Sequence, residues 1–187
     1  MKREKDKGRY ARINKNLINK RALARRVRKH NLTGRDLFFL VALLADAQRR
    51  GKRRLVFKSR YQLLNFLKWG KRGEDYYALD GAVERWSEVS FSFGNFYLSK
   101  TKQRRAIEIP GVLKRRPAKN GFAIVFDKAF WKTTLKEDGY FFRANPDIVH
   151  ALKNPLEILL YFLIDAYSSW LHCEADIITK KIRFYPR

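Results

Sequence analysis

The side chains with the most chemical potential in this chain are its lysines and arginines, and they are unevenly placed. Residues 1–30 hold 13 Lys+Arg against 2 acids, residues 49–72 hold 10 against none, and residues 98–119 hold 8 against one. The formal net charge over 187 residues is +24, so the rest of the chain is slightly acidic. Solubility requires neither that magnitude nor that focusing. Cations gathered in runs suit a polyanion, and the expected ligand is a nucleic acid.

Catalytic constellations are missing by comparison. A nicking enzyme holds a metal with neighbouring histidines beside a tyrosine nucleophile, whereas His30, His150 and His172 are scattered. No Asp/Glu-x-Lys triplet follows Pro146-Asp147, while Glu137-Asp138 and Glu174 with Asp176 read as loop and strand-edge charges. No glycine-rich loop ends in Lys-Ser/Thr. Cys173 is the single cysteine, which excludes an internal disulfide and a cysteine-built zinc site. A binding protein without metal or cofactor is expected, not an enzyme.

At 45% hydrophobic and 14% aromatic content the chain can build a core. Its longest apolar runs, Leu37 to Ala45 and Ile158 to Ile164, are shorter than the roughly 18 to 20 residues of a membrane span. No apolar stretch precedes a small-residue cleavage site near the N-terminus, so no secretory signal is expected. A reducing, cytoplasmic setting without membrane contact follows.

The elements that must position the cations read as follows. Residues 1–30 form a basic N-terminal arm, helical from Ala11 to Lys29, that orders on phosphates. Thr33 caps a helix with Asp36 at its third position, and Leu37, Phe38, Val41, Leu44 and Ala45 recur at helical spacing up to Arg50. Arg54 to Phe57 is a short strand, and Ser59 caps a helix that turns Tyr61, Leu64, Phe66 and Leu67 inward. Gly70 and Gly73 bracket a turn open to positive φ. From Glu74 to Ser87 a second helix buries Tyr76, Leu79, Val83 and Trp86 and turns Tyr77, Ala78, Gly81, Glu84 and Arg85 outward. Its small residues would admit a base edge, with Tyr77 and Arg85 as contacts. The stretch Glu74 to Glu88 has five acids and one arginine, so attraction to phosphates must come from Lys58, Arg60, Lys68, Lys71 and Arg72 before it and from the segment after it. Val89 to Leu98 and Ala106 to Ile109 form a hairpin whose loop, Ser99 to Arg105, carries Lys100, Lys102, Arg104 and Arg105 and acts as a wing. Lys114, Arg115, Arg116 and Lys119 make a second basic loop.

The fold class is therefore α+β: a winged helix-turn-helix over residues 31–119, followed at 120–187 by an incomplete second winged-helix-like module. In that module Phe122 to Phe126 and Tyr140 to Ala144 are strands and Pro146 to Lys153 a short helix. Asn154 and Pro155 then start a helix, Leu156 to Trp170, packed around Leu159, Leu160, Leu163 and Ile164, and Ile177 to Phe184 is strand-like.

Several short segments, in order, resemble the bacterial plasmid replication initiators of the replication initiator protein A family. They are Leu32-Thr33, Ser59-Arg60-Tyr61-Gln62-Leu63-Leu64, Trp69-Gly70, Tyr76 to Arg85 with Val89-Ser90-Phe91, Leu152-Lys153-Asn154-Pro155-Leu156 and Leu160-Tyr161. The likeness spans about residues 32–170. It implies tandem winged helices that bind origin repeats in double-stranded DNA, help open the duplex, and engage host helicase or initiator proteins. Lys58 to Gly73 with the helix from Glu74 would be the helix-turn-helix. Leu156 to Trp170 would begin the second winged helix, which this sequence does not complete. A transcriptional repressor would use the same fold and an RNA binder the same charge. An adaptor for the replication machinery would use the acidic helix and the apolar C-terminal helix.

Overall fold

The computed structural model describes residues 10–19, 21–98, 101–133, 141–167, 171–176 and 181–186. The fold is mixed α+β, with small antiparallel sheets around a central helix, α3 (Gly34–Arg50). Thr33 starts that helix as expected: its hydroxyl accepts from the Asp36 amide at 3.2 Å and its own amide donates to Asp36 Oδ2 at 2.7 Å. The apolar run does more than line one face. Every residue from Asp36 to Ala47 is buried, the mark of a helix enclosed on all sides.

The segment expected to be an arm supplies part of that enclosure. β1 (Ala11–Asn14) pairs antiparallel with β7 (Phe141–Ala144), and α1 (Lys15–Asn19) and α2 (Ala22–Lys29) follow. Ala11, Ile13, Leu17, Ile18, Leu23 and Val27 are buried in the core, so β1, α1 and α2 are structural and not a free arm. Their apolar residues are few but fall on one side of each short element, which is enough to cover α3. A buried amide relay secures the corner. Asn14 Oδ1 accepts from the Asn16 amide at 2.9 Å, Asn14 Nδ2 donates to the Thr133 carbonyl at 3.0 Å, and Asn16 Nδ2 reaches the Tyr97 carbonyl at 3.0 Å.

After α3 come β2 (Arg54–Phe57), α4 (Arg60–Phe66) and α5 (Gly73–Glu88). Ser59 caps α4, its hydroxyl accepting from the Gln62 amide at 3.2 Å. Leu63, Leu64 and Leu67 are buried there, but Tyr61 is exposed, contrary to its expected inward position. Neither Gly70 nor Gly73 takes positive φ; the left-handed residue of the turn is Lys68, at φ 55°. Gly70 serves close approach instead, since a Cβ on it would lie 2.3 Å from Asp75 Oδ2.

Two hairpins follow, and only the second joins β2. β3 (Phe91–Leu98) pairs with β4 (Gln103–Ile109) in a sheet of their own, irregular between Phe93 and Phe96. β2 joins the second hairpin, β5 (Leu113–Ala118) and β6 (Gly121–Phe126), in a sheet ordered β2-β6-β5. The expected boundary between residues 119 and 120 thus falls at the tip of a hairpin, whose second strand is the centre of this sheet.

Beyond α6 (Lys128–Thr133), β7, α7 (Pro146–Ala151) and α8 (Pro155–Tyr167) pack back on α3 and β1 within the same hydrophobic core. α8 buries Ile158, Phe162 and Ala166, while Leu160 and Leu163, expected inside, are exposed together with Leu156. β8 (Leu171–Asp176) and β9 (Lys181–Pro186) form a final antiparallel pair; residues 168–170 and 177–180 of the expected elements lie outside the described residues. No described helix is long and apolar enough to cross a membrane.

Candidate nucleic-acid interface

The expected site residues divide into three groups. The first gathers where α4, α5 and β5 meet. Asp80 on α5 stands between two arginines: Arg60 Nη1, at the start of α4, donates to Oδ2 at 2.8 Å, and Arg115 Nη1, on β5, donates to Oδ1 at 3.0 Å. Each guanidinium also lies against a ring, Arg60 over Tyr76 at 5.4 Å and Arg115 over Phe122 at 4.4 Å. Asp80 was not singled out from the sequence, where it is one of several acids on a helix. Its position i+4 from Tyr76 was the available signal.

Further exposed groups lie on these elements and the segments next to them. Tyr77, one turn before Asp80, is 81% exposed. Lys58 follows β2, with its amide on Gln62 Oε1 at 2.7 Å and its side chain exposed. The tip of the β5–β6 hairpin is held beside it: Gly121 has φ +120°, and a Cβ there would meet the Phe57 carbonyl at 2.2 Å and that of Lys58 at 2.7 Å. Lys114 and Arg116 lie exposed on β5, in rows with Val125 and Arg54 and with Ala123 and Val56. They flank Arg115 in sequence but belong to the opposite face of the sheet, because neighbours on a strand alternate. Arg72 is exposed before α5, its amide on Asp75 Oδ2 at 3.2 Å. Lys71 donates to the Tyr61 hydroxyl at 2.9 Å and lies 4.6 Å from that ring. That bond, with a second from Asn65 and the ammonium charge, holds the Tyr61 phenol below its ordinary pKa.

The second group is structural. Arg85 does not face outward to read a base: its Nη2 and Nε grip Asp36 Oδ1 and Oδ2 at 2.7 and 3.1 Å, locking the C-terminal half of α5 to the first turn of α3. Gly81 makes room for this. A Cβ on Gly81 would lie 2.9 Å from Arg85 Nη1, so its smallness serves the ion pair within the helix. Ala78 is half-buried and packs on the core. Of the expected outward face, Tyr77 and Glu84 remain exposed.

The third group lies elsewhere. Lys68 borders a groove of about 400 Å³ lined with Phe38, Trp69 and His150, 3.8 Å from Asp147 on α7. Lys102, at φ 53°, and Arg104 and Arg105 are exposed on the β3–β4 hairpin; Lys100 lies outside the described residues. That hairpin is tied near its tip to α1 through Asn16 and Tyr97, whereas the β5–β6 tip rests on Phe57 and Lys58. The two basic hairpins are therefore anchored to different parts of the molecule. Among the described residues no group of His, Cys, Asp and Glu could hold a metal ion. Comparison with protein-family models, curated proteins and solved structures returns no match for this chain.

Proposed function

We propose that this protein binds double-stranded DNA through a winged helix, and that it acts in the cytoplasm as an origin-binding initiator of plasmid-type replication and not as an enzyme. The connectivity carries this reading. α3, β2, α4 and α5 are followed by strands that return to β2 in one three-stranded sheet, the order in which a winged helix brings a helix pair and a hairpin together. The wing in this reading is β5–β6, not the loop 99–105. Lys58, Arg60, Arg72 and Arg115 lie on or beside α4, α5 and β5 and supply the attraction that acidic α5 lacks. The initiator role rests on the family resemblance of the sequence. An adaptor reading is favoured by one observation, the exposed Leu156, Leu160 and Leu163 at i, i+4 and i+7 of α8.

Selection of bound duplexes from a random pool, followed by titrations against the selected and a scrambled duplex, tests the proposal. Arg72→Ala should weaken both equally, whereas Tyr77→Ala should cost roughly 1 to 3 kcal/mol on the selected site only. Failure of any sequence to be enriched, with binding indifferent to salt, would remove the reading.

A further inference from the structure

The cluster at Asp80 has the form of an anion site already filled by the protein's own carboxylate. We propose that Arg60 and Arg115 make a two-arginine site for a nucleic-acid phosphate, and that Asp80 occupies and restrains it until a phosphate displaces the carboxylate. The inference rests on the nucleic-acid reading above and assigns one pair of residues within it.

Three observations support it. First, the geometry is that of one carboxylate shared between two cations: each oxygen of Asp80 takes one guanidinium, at 2.8 and 3.0 Å, and two oxygens of a phosphodiester can satisfy the same pair of donors. Second, each arginine has a contact besides Asp80: Arg60 lies over the Tyr76 ring and Arg115 over the Phe122 ring, and the two arise from different elements, α4 and β5. Third, the pairs are open to water. Arg60, Arg115 and Asp80 are 49%, 42% and 39% exposed, so exchanging one anion for another leaves no buried charge behind. Asp36, paired with Arg85, is 1% exposed and cannot be exchanged in this way. An exposed ion pair is worth only about 0.2 to 1 kcal/mol, low enough for a phosphate to compete. Lys58, two residues before Arg60, is exposed and free to meet a flanking phosphate.

Restraint by Asp80 makes a specific prediction about its removal. With a fluorescent mixed-sequence duplex of about two helical turns, the intact protein should bind with an affinity that falls steeply with salt. Asp80→Asn should tighten binding roughly three- to tenfold at moderate salt, the equivalent of losing two exposed pairs. Glu84→Gln, which adds the same unit of charge one turn away and frees no arginine, should give a distinctly smaller gain. Arg115→Gln in the otherwise native chain should flatten the logarithmic salt slope by about 0.9, one phosphate contact. Equal gains from Asp80→Asn and Glu84→Gln would overturn the inference, reducing Asp80 to a bulk charge. So would an unchanged salt slope in Arg115→Gln, a measurement that stands even if the Asp80 variant does not fold. Absence of salt-dependent binding by the intact protein would instead remove the nucleic-acid reading itself.

Discussion

At the scale of single residues, Asp36 shows how one side chain can decide the role of another. It caps α3, and because it is buried it needs a cation; Arg85 supplies one with two hydrogen bonds, and Trp86 Nε1 donates to the Asp36 carbonyl at 2.8 Å. An arginine that helical periodicity turns to solvent is thereby bent back over Gly81 to the core. Arg85→Ala should cost about 2 to 4 kcal/mol of stability, the penalty for stranding a buried carboxylate reduced for the partial exposure of the arginine. Denaturant unfolding measures this, and the expected companion result is no selective loss on a preferred DNA site. The contrast with Asp80 is one of solvent access: similar chemistry is a fixed bond in one place and an exchangeable one in the other.

The elements illustrate how a hairpin is selected as sheet partner. Strand β2 has Leu55 and Phe57 on its buried face, and β6 offers Ile124 and Phe122 directly opposite them. β3 and β4 bury Phe91, Phe93, Phe96 and Ile109 elsewhere in the core. Both hairpins are basic, so charge alone could not tell which lies beside the helix pair. Gly121 permits the closer one. Its φ of +120° and the carbonyls of Phe57 and Lys58 leave no space for a Cβ, so Gly121→Ala should lower stability by more than about 1 kcal/mol. Thermal unfolding should register the loss, and a native-like midpoint would contradict this account of the hairpin anchor.

For the whole molecule, the consequential feature is that N-terminal residues close the core against C-terminal ones. Deleting residues 1–30 should abolish cooperative unfolding, because it removes β1 from β7 and strips six apolar side chains from the core around α3. A free DNA-binding arm would instead leave the unfolding transition intact and weaken only binding, so calorimetry separates the two. The same junction carries a pH dependence. Burial raises the pKa of Asp165 above 3.8, opposed by the Arg143 amide that it accepts at 3.0 Å and by the charge of Lys15. A carboxyl with a raised folded pKa binds its proton more tightly in the native state, so stability should fall as pH rises from about 4 through the folded value. Asp165→Asn should lessen that fall, seen as a smaller drop in unfolding temperature between acid and neutral pH.

Much of the local structure was legible in the sequence because its causes are local. The Thr33 and Ser59 caps, the α5 face of Leu79, Val83 and Trp86, and the Asn154-Pro155 helix start depend on neighbours within a few residues. The focusing of charge was equally visible, since it is a property of composition along the chain. Pairing between distant segments was not. That β2 joins β6, that β1 closes on β7, that Arg85 turns to Asp36 and that Asp80 bridges two arginines all rest on contacts at least twenty residues apart. Periodicity states which face of an element is apolar, whereas only the packed core states what that face meets. The three-dimensional arrangement therefore decided which cations can act together and which are committed to holding the fold.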